Sequence, residues 1–113
     1  MPGTLVYFDV NGRGEAIRAM LHHANFQYND ERIAFDAFPA VKNSGRFPLT
    51  TMPIWEEDGM TVCTSNGVLR ALGVRLGYYS EDPKTVYAID SMVDFGEDAM
   101  NWFNGYLFPG VLG

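Results

Sequence analysis

Cysteine is almost missing from this sequence: Cys63 is the only one among 113 residues. A single cysteine excludes an intrachain disulfide and a CxxC redox pair. It fits a reducing compartment such as the cytoplasm. Positive charge is also scarce. Eight Lys and Arg face fourteen Asp and Glu, giving a formal net charge of −6. No basic cluster interrupts that balance, so a nucleic-acid partner is not expected. No stretch approaches the roughly 18 apolar residues of a membrane span. The opening MPGTLVYFDV lacks the basic region and apolar run of a signal peptide, so none is expected. His22 and His23 are adjacent near a helix end, without metal-ligand spacing, and no metal site is expected.

Apolar residues, by contrast, are plentiful. They make up 47% of the chain, with 14% aromatic, enough to fill the core of one compact domain. Leu5 to Phe8 is a short apolar run between turn-forming residues and reads as a buried strand. Ala16, Ile17, Met20, Leu21 and Ala24 recur at helical spacing from Glu15, with Asn25 as the stop. Phe26 to Ile33 is extended in character and suited to a sheet edge. Phe35 to Asn43 reads as a weak helix, whole or broken, carrying Pro39, and Ser44 to Thr51 as loop. Two strands, Ile54–Glu57 and Met60–Cys63, flank Asp58-Gly59, a strong hairpin signal. Val68, Leu69, Leu72 and Leu76 mark a helix from Ser65 that ends at Gly77. The order is βαβ followed by ββα, a mixed four-stranded sheet covered by helices: the thioredoxin-like layout. After a linker, Asp82-Pro83 reads as an N-cap and first helical position. Val86, Ile89, Val93, Gly96, Met100 and Phe103 then predict one long helix to about Asn104, with a tail from Gly105 to Gly113 that does not continue it.

Three places carry chemistry. Pro53 opens a strand, where proline is tolerated if the backbone serves another purpose. A cis Met52–Pro53 bond would turn the Met52 amide and carbonyl outward to pair with an extended peptide; a trans proline at a strand start is the simpler alternative. Thr64 and Ser65 stand at a helix N-terminus, where free amides and the dipole attract a carboxylate. Ser65 equally serves as a plain cap. Tyr7 ends the first strand, placed to donate to a thiol sulfur and favour the thiolate, or simply to pack with its hydroxyl at the rim. Asp94, Glu97 and Asp98 share a helix face and read as solvated. Cys63 reads as a buried thiol rather than a nucleophile.

"LVYFDVNGRGEAIR", followed by "FPAVK", "TMPIWEEDG" and "TSNGVLRALG", resembles the N-terminal domain of glutathione transferases. The nearest pattern is the sigma class, which includes the glutathione-dependent prostaglandin D synthase. The resemblance implies a glutathione-binding thioredoxin-like domain over residues 1–77, a linker over 78–83, and over 84–113 the first helix of an all-α second domain that is cut short. It implies that Tyr7 activates the glutathione sulfur and that Arg13 tunes that tyrosine. Phe38, in place of a tryptophan, and Lys42 would line the glycine end. The Met52 backbone, with Pro53 as cis-proline, would hold the cysteinyl part. Thr64 and Ser65 would bind the γ-glutamyl carboxylate, and Asp98 would reach the γ-glutamyl amine of a partner subunit. Thr51, Thr64 and Asn11 replace a lysine, a glutamine and a basic residue usual at those positions. The expected activity is glutathione transfer to a small electrophile, or isomerisation of one, in a homodimer or larger assembly. The alternative is an inactive transferase-like accessory or assembly subunit.

Overall fold

The computed structural model describes residues 2–107. These divide between two compact units, Met1–Leu76 and Gly77–Gly113. The first unit is built on four strands, β1 (Thr4–Phe8), β2 (Asn29–Ile33), β3 (Ile54–Glu57) and β4 (Met60–Cys63). They lie in the order β2-β1-β3-β4, with β1 and β2 parallel and the other pairs antiparallel. The helices are α1 (Glu15–His23), α2 (Phe38–Asn43) and α3 (Ser65–Leu76), with a 3-10 turn at Phe35–Ala37 before α2. This is the mixed thioredoxin-like sheet expected from the element order. The β3–β4 hairpin turns at Asp58 (φ 50°) and Gly59 (φ 78°), the left-handed pair that suits a twisted two-residue connection.

Alternation along the strands gives the sheet two apolar faces. On one, Leu5 and Trp55 pack with Ile17 and Leu21 of α1 and Val68 and Leu72 of α3. On the other, Val6 and Ile54 pack with Ile33 and Phe47. Phe47 falls in the stretch expected to be loop, yet it is 2% exposed and anchors that second cluster. Two departures from expectation have clear causes. β2 begins at Asn29 rather than Phe26, because Phe26 and Tyr28 turn their rings toward Trp55, with centroids 6.4 and 6.3 Å away. The buried stripe of α1 is Ile17, Arg18 and Leu21, while Ala16 is exposed. Asn25, at φ 52°, ends α1 as expected. Its N–H donates to His22 O and that of Phe26 to Leu21 O, both at 3.0 Å, which satisfies the last carbonyls of the helix.

The second unit contains α4 (Pro83–Leu107). Asp82 caps it, accepting the Thr85 N–H at 3.0 Å and the Thr85 hydroxyl at 2.9 Å. These bonds hold the Asp82 carboxyl below the usual aspartate range. The helix continues through Gly105 to Leu107, three residues beyond the expected end at Asn104. One glycine costs a helix only about 1 kcal/mol, and the stacking of Trp102 on Tyr106 spans it, with ring centroids 6.0 Å apart. The remainder of the expected tail lies outside the described residues.

Candidate functional site

Register alone gathers three of the singled-out residues at one end of the sheet. Val6 pairs with Ile54, and Ile54 with Cys63. One step beyond that line come Tyr7 on β1, Pro53 just before β3 and Thr64 just after β4. The Met52–Pro53 bond is cis, so of the two alternatives at Pro53 the structure has the cis one. Pro53 is fully buried and Met52 packs beside the second core cluster. The ladders of β3 start at Ile54, leaving Met52 outside both.

Tyr7 is 7% exposed. Its oxygen accepts the Arg13 N–H at 2.9 Å, so the hydroxyl is held by the β1–α1 loop rather than left at the rim. That loop wraps the ring closely. A Cβ on Gly14 would sit 2.5 Å from the ring carbon Cδ2, and one on Gly12 would collide with the phenolic oxygen. Both glycines are needed for approach, not for an unusual φ. Neither was singled out as a site residue from the sequence. Their signal was the Gly-x-Gly spacing in the loop that follows β1, close behind Tyr7.

At the α3 N-terminus the cap is Thr64, not Ser65. The Thr64 hydroxyl accepts the Gly67 N–H at 3.1 Å, and its carbonyl accepts the Val68 N–H at 2.9 Å. Thr64 has φ 66°, a left-handed conformation that a β-branched residue rarely adopts. Ser65 is the first residue of α3, half-buried, with its hydroxyl not engaged in that cap. Free N–H groups and the positive end of the helix dipole accompany it.

Phe38 opens α2. Its ring lies between Phe8, at 5.1 Å, and Phe47, at 6.1 Å. Lys42 is in the last turn of α2 and exposed, as is Thr51. Asp98 is exposed on α4, in the second unit, and so is not among the residues the sheet gathers. Cys63 is a free, half-buried thiol. Among the described residues, no group of three or more His, Cys, Asp or Glu side chains could hold a metal ion, and no helix is long and apolar enough to cross a membrane.

A mixed β2-β1-β3-β4 sheet covered by helices, with a cis-proline just before β3, defines a thioredoxin-like domain. No protein-family model matches the chain. Individual proteins do. The chain is 29% identical over 109 residues to glutathione S-transferase 2 of Caenorhabditis elegans, covering 96% of this chain and 57% of that protein. It is 32% identical over 96 residues to glutathione S-transferase 1 of Ascaris suum, covering 85% and 46%. Among solved structures, a nematode-specific glutathione S-transferase of C. elegans superposes with a TM-score of 0.86 at 25% identity, over 96% of this chain and 55% of that one. The chain is thus a relative of the glutathione S-transferases, and its first unit takes the form of their thioredoxin-like N-terminal domain. It spans about half the length of the curated relatives it matches.

Proposed function

We propose that the chain binds glutathione and, through Tyr7, favours its thiolate for attack on a small electrophile: glutathione transferase or isomerase chemistry. The observation that carries this reading is the convergence of Tyr7, the cis Met52–Pro53 bond and the α3 N-terminus at one sheet end. The reading assigns the Met52 backbone to the cysteinyl part of the ligand. The Ser65 hydroxyl and the backbone amides at Thr64 and Ser65 take the γ-glutamyl carboxylate. Phe38 and Lys42 take the glycine end, and Arg13 the surroundings of Tyr7. It assigns residues 1–77 to glutathione binding, 78–83 to a linker and 84–113 to the start of a helical region. Its finer parts are a sigma-like class, a homodimer in which Asp98 reaches the partner's ligand, and a reducing compartment. The exposed apolar side chains of α4, Met92, Phe95 and Trp102 at 69 to 72%, support an assembly over a lone chain.

The alternative is an accessory module without catalysis. Two observations favour it: the Thr64 hydroxyl is engaged in its own helix, and Thr51 offers no charge. Each charged hydrogen bond so lost weakens binding by about 1.5–3 kcal/mol. Calorimetry with reduced glutathione at millimolar concentration separates the two. The transferase reading expects heat that Ser65→Ala reduces; silence across that range favours the accessory module.

A further inference from the structure

Arg18 has no role in the reading above, yet its surroundings are unusual for a helix cation. It sits in the apolar stripe of α1 beside Ile17 and Leu21 and is 5% exposed. A guanidinium is kept in such a place only if its donors are satisfied. Here Nη1 donates to Val10 O at 2.8 Å, Nη2 to Phe8 O at 2.9 Å, and Nε to Asp30 Oδ1 at 3.3 Å. Two of these acceptors are main-chain carbonyls where the chain leaves β1. The backbone N–H of the same arginine bonds Gly14 O, at the other end of the loop, at 3.0 Å. One residue therefore ties both ends of the β1–α1 loop. Between them lies the Tyr7 ring, whose centroid is 5.5 Å from the guanidinium carbon. Asp30 completes the clamp. Its second oxygen accepts from Arg32 at 2.9 Å, and Arg32 reaches the Asp9 carboxylate in the same loop at 2.6 Å.

We infer that Arg18 is a positioning residue for Tyr7. By clamping the carbonyls of Phe8 and Val10, it fixes the loop so that the Arg13 N–H occupies one acceptor position of the Tyr7 oxygen. A phenol has one proton to donate, and that N–H cannot receive it, so the O–H is left to point away from the loop. For the consequence at a thiol this rests on the proposed role of Tyr7; the loop geometry stands without it. The planar fork matters as well as the charge. A lysine keeps the charge but, as a point donor on a flexible stem, does not hold two carbonyls and a carboxylate together.

Amide hydrogen exchange in the ligand-free chain, with Arg18→Lys and Arg18→Met, tests the clamp. The Arg13 amide should exchange about tenfold faster in both variants, while the amides of Leu5 and Trp55 in the sheet keep their protection. Arg13 exchange within about twofold of the parent overturns the inference, as does an equal rise at Arg13, Leu5 and Trp55, which would mark general destabilisation. A second arm titrates the thiol of saturating reduced glutathione. Both variants should move its midpoint toward that of free glutathione, lysine included, whereas an unmoved midpoint in a variant whose parent does perturb the thiol contradicts the inference. A parent that leaves the thiol unperturbed removes the role of Tyr7 and leaves the exchange result to decide on Arg18.

Discussion

Gly12→Ala probes how the tyrosine is held. The Gly12 backbone is outside the left-handed region, so on conformational grounds alone alanine would stabilise by about 0.4–1 kcal/mol through the unfolded chain. The packing opposes this. A Cβ there meets the Tyr7 oxygen well inside 3.0 Å, with the ring carbon Cζ next at 3.3 Å. The ring has little room to withdraw, because Gly14 lies against it and Arg18 lies over it. Overpacking of this kind costs about 1–3 kcal/mol. Displacing the oxygen from the Arg13 N–H removes a bond that contributes about 1 kcal/mol. The net expectation is destabilisation of about 1–3 kcal/mol. Removing the phenolic oxygen should relieve most of it, since the contacts that then remain are the ring carbons at 3.3 and 3.5 Å. In a Tyr7→Phe background, Gly12→Ala should therefore cost less than about 0.5 kcal/mol, a coupling of about 0.5 kcal/mol or more. Urea unfolding of the four proteins measures this. Additive effects, or stabilisation by Gly12→Ala alone, would refute the caged-hydroxyl account.

Three further outcomes follow from the first unit. Thr64→Asn keeps a side-chain acceptor for the Gly67 N–H and suits the left-handed backbone better, so it should raise stability by about 1 kcal/mol; a fall in urea midpoint would contradict that. Arg46 forks between Glu31, at 2.6 and 2.8 Å, and Glu56, at 2.7 and 3.1 Å, tying β2 to β3 across the sheet. Arg46→Met should cost about 1–2 kcal/mol, discounted for partial exposure; an unchanged melting temperature would contradict it. Acid should weaken the fold through Glu31 and Glu57. Hydrogen bonds from Arg46, and from Arg75 and Trp55, hold their carboxyls below the ordinary 4.5. Because these folded-state values are depressed, their contribution is complete above that unfolded value and fades as pH falls through the folded values. Urea midpoints should thus hold down to about pH 5 and decline below it, less steeply in Arg46→Met; parallel declines would contradict the assignment to Arg46.

What was legible in the sequence was what local physics dictates. The Asp58-Gly59 turn placed both hairpin strands at their observed ends, because its two left-handed residues leave few alternatives. The apolar run of β1 and the stop at Asn25 were equally local. The rest depended on tertiary partners. Phe26 and Tyr28 have strand-like side chains, but Trp55 draws them into the core ahead of the ladder. Gly105 looked like a terminator, and a single glycine does not end a helix that has good turns on both sides. Arg18 carries no signal in the sequence, where a cation in an apolar stripe is expected to snorkel to solvent; the loop carbonyls of Phe8 and Val10 make its burial tolerable. In the site, Tyr7, Pro53 and Thr64 were found through strand ends, whereas Gly12 and Gly14 became visible only once the ring they touch was in place.

The central claim is that Tyr7, held by the Arg13 amide, favours the thiolate of glutathione. Its most direct test is the thiolate absorbance of reduced glutathione titrated against pH in the presence of saturating protein, wild type beside Tyr7→Phe. The account predicts that the wild-type complex forms thiolate at lower pH than free glutathione, whose thiol is near 8.5 in the unperturbed state, and that Tyr7→Phe moves the curve back. A wild-type curve that coincides with that of free glutathione, or one that Tyr7→Phe leaves in place, would contradict it.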